Sequence, residues 1–388
     1  MDSKLRHLLV AGVTTRALAV SAARAGYRVT AIDAFGDLDL REAAEVILAR
    51  PAKQHMRYGP PQAAREADRV PAELAAYTSN FENYPAAVAR LSRGRRLLGN
   101  PASVLCQVRN PFQLTQVLRR CGVPVPETRS RAPGQAATRG QWVMKPRRSG
   151  GGHGVMRWTP GWPLPRSMYL QQHVSGIPGS VSFVADGRSA VVLGFSRQLV
   201  GDARLGAGGY RYCGSILGGP RSKLFPQQGE LLDRAGLLAE VITREFGLLG
   251  VNGIDFIARR GIPYPLEVNP RFSASMELIE RAYGISMFRI HADACVGLLP
   301  STPEPNSNVL HGKGIVFARN HTRIPSSQKF RRPWMADVPH GGEHISQGRP
   351  ICTVFAAARN PDACRRLIWK RAGLVYRAVT PADQWTAA

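Results

Sequence analysis

Residues 250–271 read GVNGIDFIARRGIPYPLEVNPR. The runs GVNGIDFIA and YPLEVNPR, separated by a turn with Gly261 and Pro263, predict two paired strands. Side chains alternate between the faces of a strand, so Glu267 and Asn269 share one face, and the hairpin can set Asp255 opposite them. Two carboxylates and an amide carbonyl in one patch are hard oxygen donors of the kind Mg²⁺ accepts together with phosphate oxygens. Arg271, two residues on, adds a planar fork that matches a phosphate or acyl phosphate oxygen. Taken alone, the string serves equally as a polar hairpin face with salt bridges.

A second segment changes that balance. WVMKPRRSGGGHGV, residues 142–155, is an apolar strand ending at Lys145 and followed by Gly150, Gly151, Gly152 and Gly154. Glycines let such a loop fold over phosphates and turn its backbone N–H groups inward, while the lysine supplies a point charge. The lysine precedes the glycines, so this is not a Walker A loop.

Farther out, HLLVAGV, TTRALAVSAARA and YRVTAID near the start read as strand, helix, strand, with Gly26 as the helix stop. That is a βαβ unit and the beginning of a parallel sheet. The first turn carries Gly12 followed by Val13, Thr14, Thr15 and Arg16, and so lacks the three glycines that bring a backbone close to a dinucleotide pyrophosphate. Asp33 reads as a strand-end turn residue in preference to a ribose ligand. PFQLTQVLRRCG is an amphipathic helix ahead of the Pro-rich stop VPVPE, which marks a domain boundary. Helices are expected near 229–247 and as one long element over about 273–297, and KGIVFARN and PICTVFAAA as later strands that return to the large domain.

With 388 residues, 44% hydrophobic and 20% charged, the chain divides into two or three globular domains, and no apolar run is long enough to cross a membrane. The net charge of +25 is spread evenly, with lysine only at 4, 53, 145, 223, 313, 329 and 370, and no nucleic-acid-binding signature accompanies it. Six scattered cysteines without a C-x-x-C pair, and Arg16 interrupting the apolar start, predict a cytoplasmic protein with free thiols. HGGEH at 340–344 matches a zinc-peptidase pattern, but its two glycines and Pro339 oppose the helix that would bring both histidines together. Cys213 and Cys295 read as inert thiols.

Taken together, the strand-Lys-Gly loop, the D…E-x-N-x-R strand pair and the preceding βαβ unit resemble the ATP-grasp superfamily. The strings WVMKPRRSGGGHGV, YLQQHV, GIDFIARRGIPYPLEVNPRFSASMELIE and ADVPHGGEHISQGRPICTVFA look like a carboligase-like branch distantly related to biotin carboxylase. The resemblance implies an α/β chain: a Rossmann-like pre-ATP-grasp domain over 1–100, then a two-lobed α+β ATP-grasp fold. Its small lobe with the Gly-rich lid would span 101–180, and its large lobe with the metal site 181–388. By the same resemblance Lys145 binds ATP phosphates beneath a lid of Gly150, Gly151, Gly152 and Gly154, and Gln171, Gln172, His173 and Val174 flank the base. There Gln and His replace the family's acidic ribose contact. Asp255, Glu267 and Asn269 would hold Mg²⁺, or Mn²⁺ in its place, and Arg271 with Lys145 would be catalytic. Arg109 stands near a family lysine and is open as a further phosphate contact.

The activity implied is an ADP-forming ligase that activates a carboxylate as an acyl phosphate for attack by an amine, in cofactor biosynthesis. Biotin carboxylase-like carboxylation, or nucleotide binding without catalysis, remain the alternatives. Its partners would be a small carboxylate and an amine, with no nucleic acid and no membrane, and a homo-oligomer is open. Arg197, Arg204 and Arg211, in FSRQLVGDARLGAGGYRYCGS, either line the acceptor site or lie on a solvated loop.

Overall fold

A computed structural model describes residues 5–49, 59–132, 141–219, 221–303 and 308–381. Lys4 and Lys53, counted above, lie outside these segments. The chain opens with a five-stranded parallel sheet. Its spatial order is Glu45–Leu48, Arg28–Asp33, His7–Ala11, Leu74–Tyr77 and Arg96–Leu97. The expected strand, helix, strand opening is present, with the helix at Arg16–Arg24. A Cβ on Gly12 would stand 1.8 Å from Thr78 Oγ1, so the glycine of the first turn serves close strand packing. Asp33 accepts from Thr15 N and Oγ1 and from Phe35 N and Gly36 N, so both its oxygens are engaged in the turn.

Helices Ala102–Val108 and Pro111–Arg120 lead out of this sheet. The break between them follows from Asn110, whose side chain accepts from Phe112 N and Gln113 N, and from Pro111 in the first turn. Arg109 sits at that break. Beyond it lies a four-stranded sheet in the order Thr128–Arg129, Met168–Gln172, Trp142–Pro146 and Met156–Trp158.

The remaining scaffold is an eight-stranded antiparallel sheet. Its edge strand is Ile262–Asn269, followed by Leu249–Arg259, Ile177–Asp186, Ala190–Val200, Tyr212–Gly218, Leu310–Phe317, Pro350–Ala358 and Met335–Ala336. Pro263 and Pro265 cannot donate to a ladder on both sides, which agrees with the edge position of their strand. One face is closed by helices Gln228–Phe246 and Pro361–Ala378, whose Leu231, Leu238, Ile242, Ile368 and Val375 share a core with Phe183, Ile254 and Phe256. The other face looks toward the N-terminal sheet across Phe288, which is fully buried and makes an edge contact with Tyr27 at 4.9 Å. Burial of one such ring contributes about 1.5–3 kcal/mol.

One expectation is corrected. The single helix expected over 273–297 is two helices, Met276–Tyr283 and Met287–Ala294. Gly284, at φ +67°, terminates the first in the left-handed conformation, and the Ser286 side chain caps the second by accepting from Arg289 N.

Candidate active site

The edge hairpin sets Asp255 directly opposite Glu267 and Gly253 opposite Asn269. On the next strand Ser180 pairs with Asp255, so the alternation of three strands builds one polar face. Asp255 is held on both oxygens: Gln198 Nε2 donates to Oδ1 at 2.8 Å and Asn269 Nδ2 to Oδ2 at 3.0 Å. Burial, and then the neighbouring Glu267 charge, push the Asp255 carboxyl up to about 6. Glu267 goes the other way. Burial raises it, but the Arg109, Lys145 and Arg271 cations outweigh burial and hold it below the usual carboxylate range.

Lys145 is fixed at the end of its strand by register with Tyr169, and its Nζ donates to Gln171 Oε1 at 3.1 Å. Burial presses its ammonium down, yet Tyr169 and Glu267 raise it above the ordinary value, so it is a cation at neutral pH. Gln171 also donates to Leu266 O at 3.3 Å, which ties the small sheet to the hairpin. Of the other expected base-flanking residues, Gln172 is exposed, its amide oxygen accepting from Glu127 N, and His173 N donates to Gln141 O. Val174 follows them, half-buried.

Arg109 belongs to this patch. Its Nη1 lies 3.3 Å from Glu267 Oε2 and donates to Val268 O, while Nη2 donates to Asn83 Oδ1 and to Ser149 O at the base of the glycine loop. The loop at Gly150, Gly151, Gly152 and Gly154 is a tight turn with positive φ at the last three. It packs on the Tyr210–Tyr212 segment: Tyr212 N donates to Gly151 O, and a Cβ on Gly152 would stand 1.8 Å from Tyr210 O.

Arg271 reaches Glu82 Oε1 at 2.8 Å, Asn269 Oδ1 at 3.3 Å and Phe272 O at 3.0 Å. Burial lowers its pKa, but Glu82 and the site carboxylates raise it overall. Glu82 Oε2 and Arg271 Nε are buried without a protein partner.

Glu82, Asn83, Gln198 and Ser149 were not singled out from the sequence. Glu82 and Asn83 follow the strand Leu74–Tyr77, in the crevice beyond the carboxyl ends of a parallel sheet, which is the one signal that points to them. Gln198 shares the carboxylate face because it is two residues from Ser196, the register partner of Ser180. Arg197, between them, falls on the opposite face.

The patch suits a divalent cation on an observation of its own: two facing carboxylates, one of them raised to about 6 by the other and by burial, are relieved by a positive charge between them. Asn269 presents its N–H to Asp255 and its oxygen to Arg271, so it joins such a ligand set only when its amide turns. Among the described residues there is no cluster of three or more His, Cys, Asp or Glu with metal-binding geometry. In HGGEH, the His340 ring bonds Gly36 O instead. All six cysteines are free. Burial pushes the Cys213 and Cys295 thiols up to about 11, which leaves little thiolate at neutral pH. No helix among the described residues is long and apolar enough to cross a membrane.

Residues 108–275 match the family model of the ATP-grasp domain. Over 221 residues the chain is 24% identical to the arginine-specific large chain of carbamoyl phosphate synthase from Bacillus subtilis, covering 57% of this chain and 20% of that one. Over 122 residues it is 29% identical to the uncharacterised protein MJ0776 of Methanocaldococcus jannaschii, covering 31% of this chain and 29% of the relative. The chain thus spans less than a third of either relative. Among solved structures, biotin carboxylase from Campylobacter jejuni superposes with a TM-score of 0.74 at 15% identity, covering 97% of this chain and 92% of that one. An N5-carboxyaminoimidazole ribonucleotide synthetase superposes with a TM-score of 0.69 at 17% identity, covering 97% and 98%. The fold is that of ATP-grasp proteins, with a Rossmann-like N-terminal sheet.

Proposed function

We propose that this chain, which carries an ATP-grasp domain, is an ATP- and Mg²⁺-dependent ligase that joins a small carboxylate to an amine and releases ADP and phosphate. The observation that carries the reading is the half-buried Asp255–Glu267 pair flanked by Lys145, Arg109 and Arg271, with Arg109 tied to the base of the glycine loop at Ser149 O. That combination of two anions and three cations suits a metal-bound triphosphate better than a structural salt-bridge face. Relatives named as carbamoyl phosphate synthase and N5-carboxyaminoimidazole ribonucleotide synthetase support a ligase of this type.

In this reading Lys145 and Arg109 neutralise phosphate oxygens, and the loop at 150–154 covers them and excludes water. Asp255, Glu267 and, with its amide turned, Asn269 would hold Mg²⁺, which when bound would neutralise phosphate charge. The substrate carboxylate attacks the γ-phosphorus and ADP leaves. The amine then attacks the acyl carbon and phosphate leaves, with Arg271 stabilising the oxyanion or the transferring phosphoryl group. No side chain of the protein acts as nucleophile. Gln171, Gln172, His173 and Val174 flank the base, at the end of the strand that is register-paired with the Lys145 strand.

The test is thermal unfolding of the full chain with and without Mg-ATP, for the native protein and for Glu267→Ala. A hundredfold excess over Kd should stabilise the native protein by about 2.7 kcal/mol, and the gain should require Mg²⁺ and vanish in the variant. No stabilisation of the native chain at millimolar Mg-ATP sinks the reading. A panel of acids and amines, read as ADP release, then identifies the substrates. ADP release stimulated by bicarbonate alone would favour carboxylation instead.

A further inference from the structure

The three arginines of the 195–215 segment separate by position. Arg197 lies on the far face of the sheet, between Gly179 and Ile216 in register. Arg204 stacks on Trp369 at 3.9 Å, on the outer surface. Arg211 is half-buried, stacked on Phe317 at 4.0 Å, and its Nη1 lies 3.5 Å from where a Cβ on Gly348 would stand, beside Arg349. Burial, and next the Arg349 charge, lower the Arg211 pKa. No carboxylate among the described residues forms an ion pair with either guanidinium. The one acid of the 201–211 turn, Asp202, spends its oxygens on Arg204 N and Trp369 Nε1.

Arg211 thus packs against the turn that carries Arg349, and two neighbouring like charges that no acid neutralises are relieved by an anion between them. Stacking on Phe317 fixes the plane of the first fork. The second rests on a tight turn, in which Arg349 N donates to Ser346 O and Arg349 O accepts from Ala318 N. The location is informative too, because Arg211 lies between Tyr210 and Tyr212, the residues on which the glycine loop seats through Gly152 and Gly151.

We propose that Arg211 and Arg349 form an anion subsite at the outer edge of the glycine loop, which takes a phosphate or carboxylate group of the second substrate. The assignment to a substrate rests on the ligase reading, whereas the anion subsite stands apart from it. A phosphate and a carboxylate both fit a pair of planar forks, and each makes two parallel N–H···O bonds. An anion bound there braces the segment that receives the loop. By linkage, it then tightens Mg-ATP binding by the same factor that Mg-ATP tightens the anion.

The full chain tests this by thermal unfolding at constant ionic strength, with chloride replaced stepwise by inorganic phosphate or, in a second arm, by glutarate. The native protein should show saturable stabilisation by one of the two, and Arg211→Gln and Arg349→Gln should each weaken the apparent affinity about tenfold or more. Arg349 is exposed, so its variant folds whatever becomes of Arg211. The arm that saturates at lower concentration names the anion. A response that does not saturate, that is absent, or that is equal in native protein and Arg349→Gln overturns the subsite. Mg-ATP is titrated in parallel. An anion response without a Mg-ATP response retains the subsite and removes the ligase reading, and the reverse result removes the subsite alone.

Discussion

Asp255 carries the pH dependence of the candidate site. Its carboxyl is raised to about 6, first by burial and then by Glu267, so the folded protein holds a proton there that the unfolded chain gives up near 3.8. The stability this proton contributes is present at low pH and is lost as pH rises through about 6. In the proposed reading a divalent cation needs this carboxylate, so Mg²⁺ and the proton would compete for the same oxygens. Calorimetric titration of Mg²⁺ into the full chain should therefore show affinity rising from about pH 5 to about pH 7.5. Asp255→Asn should abolish that rise while leaving Lys145, Arg109 and Arg271 in place. An affinity independent of pH in the native protein would separate Asp255 from the cation.

Among the elements, the glycine loop and the split helix show what local sequence can and cannot convey. Gly152 has φ +73° and lies against Tyr210 O, so Gly152→Ala meets both a left-handed strain of about 1–2 kcal/mol and a backbone clash. The loop should then fail to seat. Mg-ATP affinity is expected to fall about tenfold or more, with the unliganded melting transition moved by only the strain above, and a parallel melt with and without Mg-ATP checks both. The loop and the hairpin were legible because their signals are local: glycine spacing in one and period-two alternation in the other. The helix over 273–297 was misread because Gly284 and Ser286 lie within an otherwise helical hydrophobic pattern. A glycine inside a helix costs only about 1 kcal/mol, so the pattern does not announce the break. What marks it in the structure is the left-handed Gly284 and the Ser286 cap, after which Phe288 packs edge-on to Tyr27.

At the scale of the molecule, the N-terminal sheet contributes to the site through contacts between residues remote in sequence, and no pattern in the chain encodes these. Glu82 meets Arg271 across 189 positions, and Arg16 meets Glu277 across 261. Glu277 is the centre of the second contact. It takes both terminal nitrogens of Arg16, and Lys313 Nζ donates to it at 2.8 Å. Asp337 and Asp39 share the remaining charge of Arg16. These groups join the first turn of the N-terminal sheet, the helix after the site hairpin and the middle of the large sheet, so the network fixes how the two halves face each other. Burial raises the Glu277 carboxyl, but Arg16 and Lys313 outweigh it and hold the group well below the usual range. Its contribution to stability is thus complete above the unfolded value of 4.5 and is lost as pH falls below that value. Glu277→Gln keeps the shape and removes the charge, leaving the buried Lys313 ammonium without its carboxylate and Arg16 with Asp337 and Asp39 alone, and should cost about 3–5 kcal/mol at neutral pH. In urea unfolding the gap between native protein and variant should narrow in acid, because below about 4.5 the unfolded chain takes up a proton at Glu277 that the folded, ion-paired carboxylate still refuses. A gap that stays constant down to about pH 3 would mean that packing, rather than the ion network, holds the halves together.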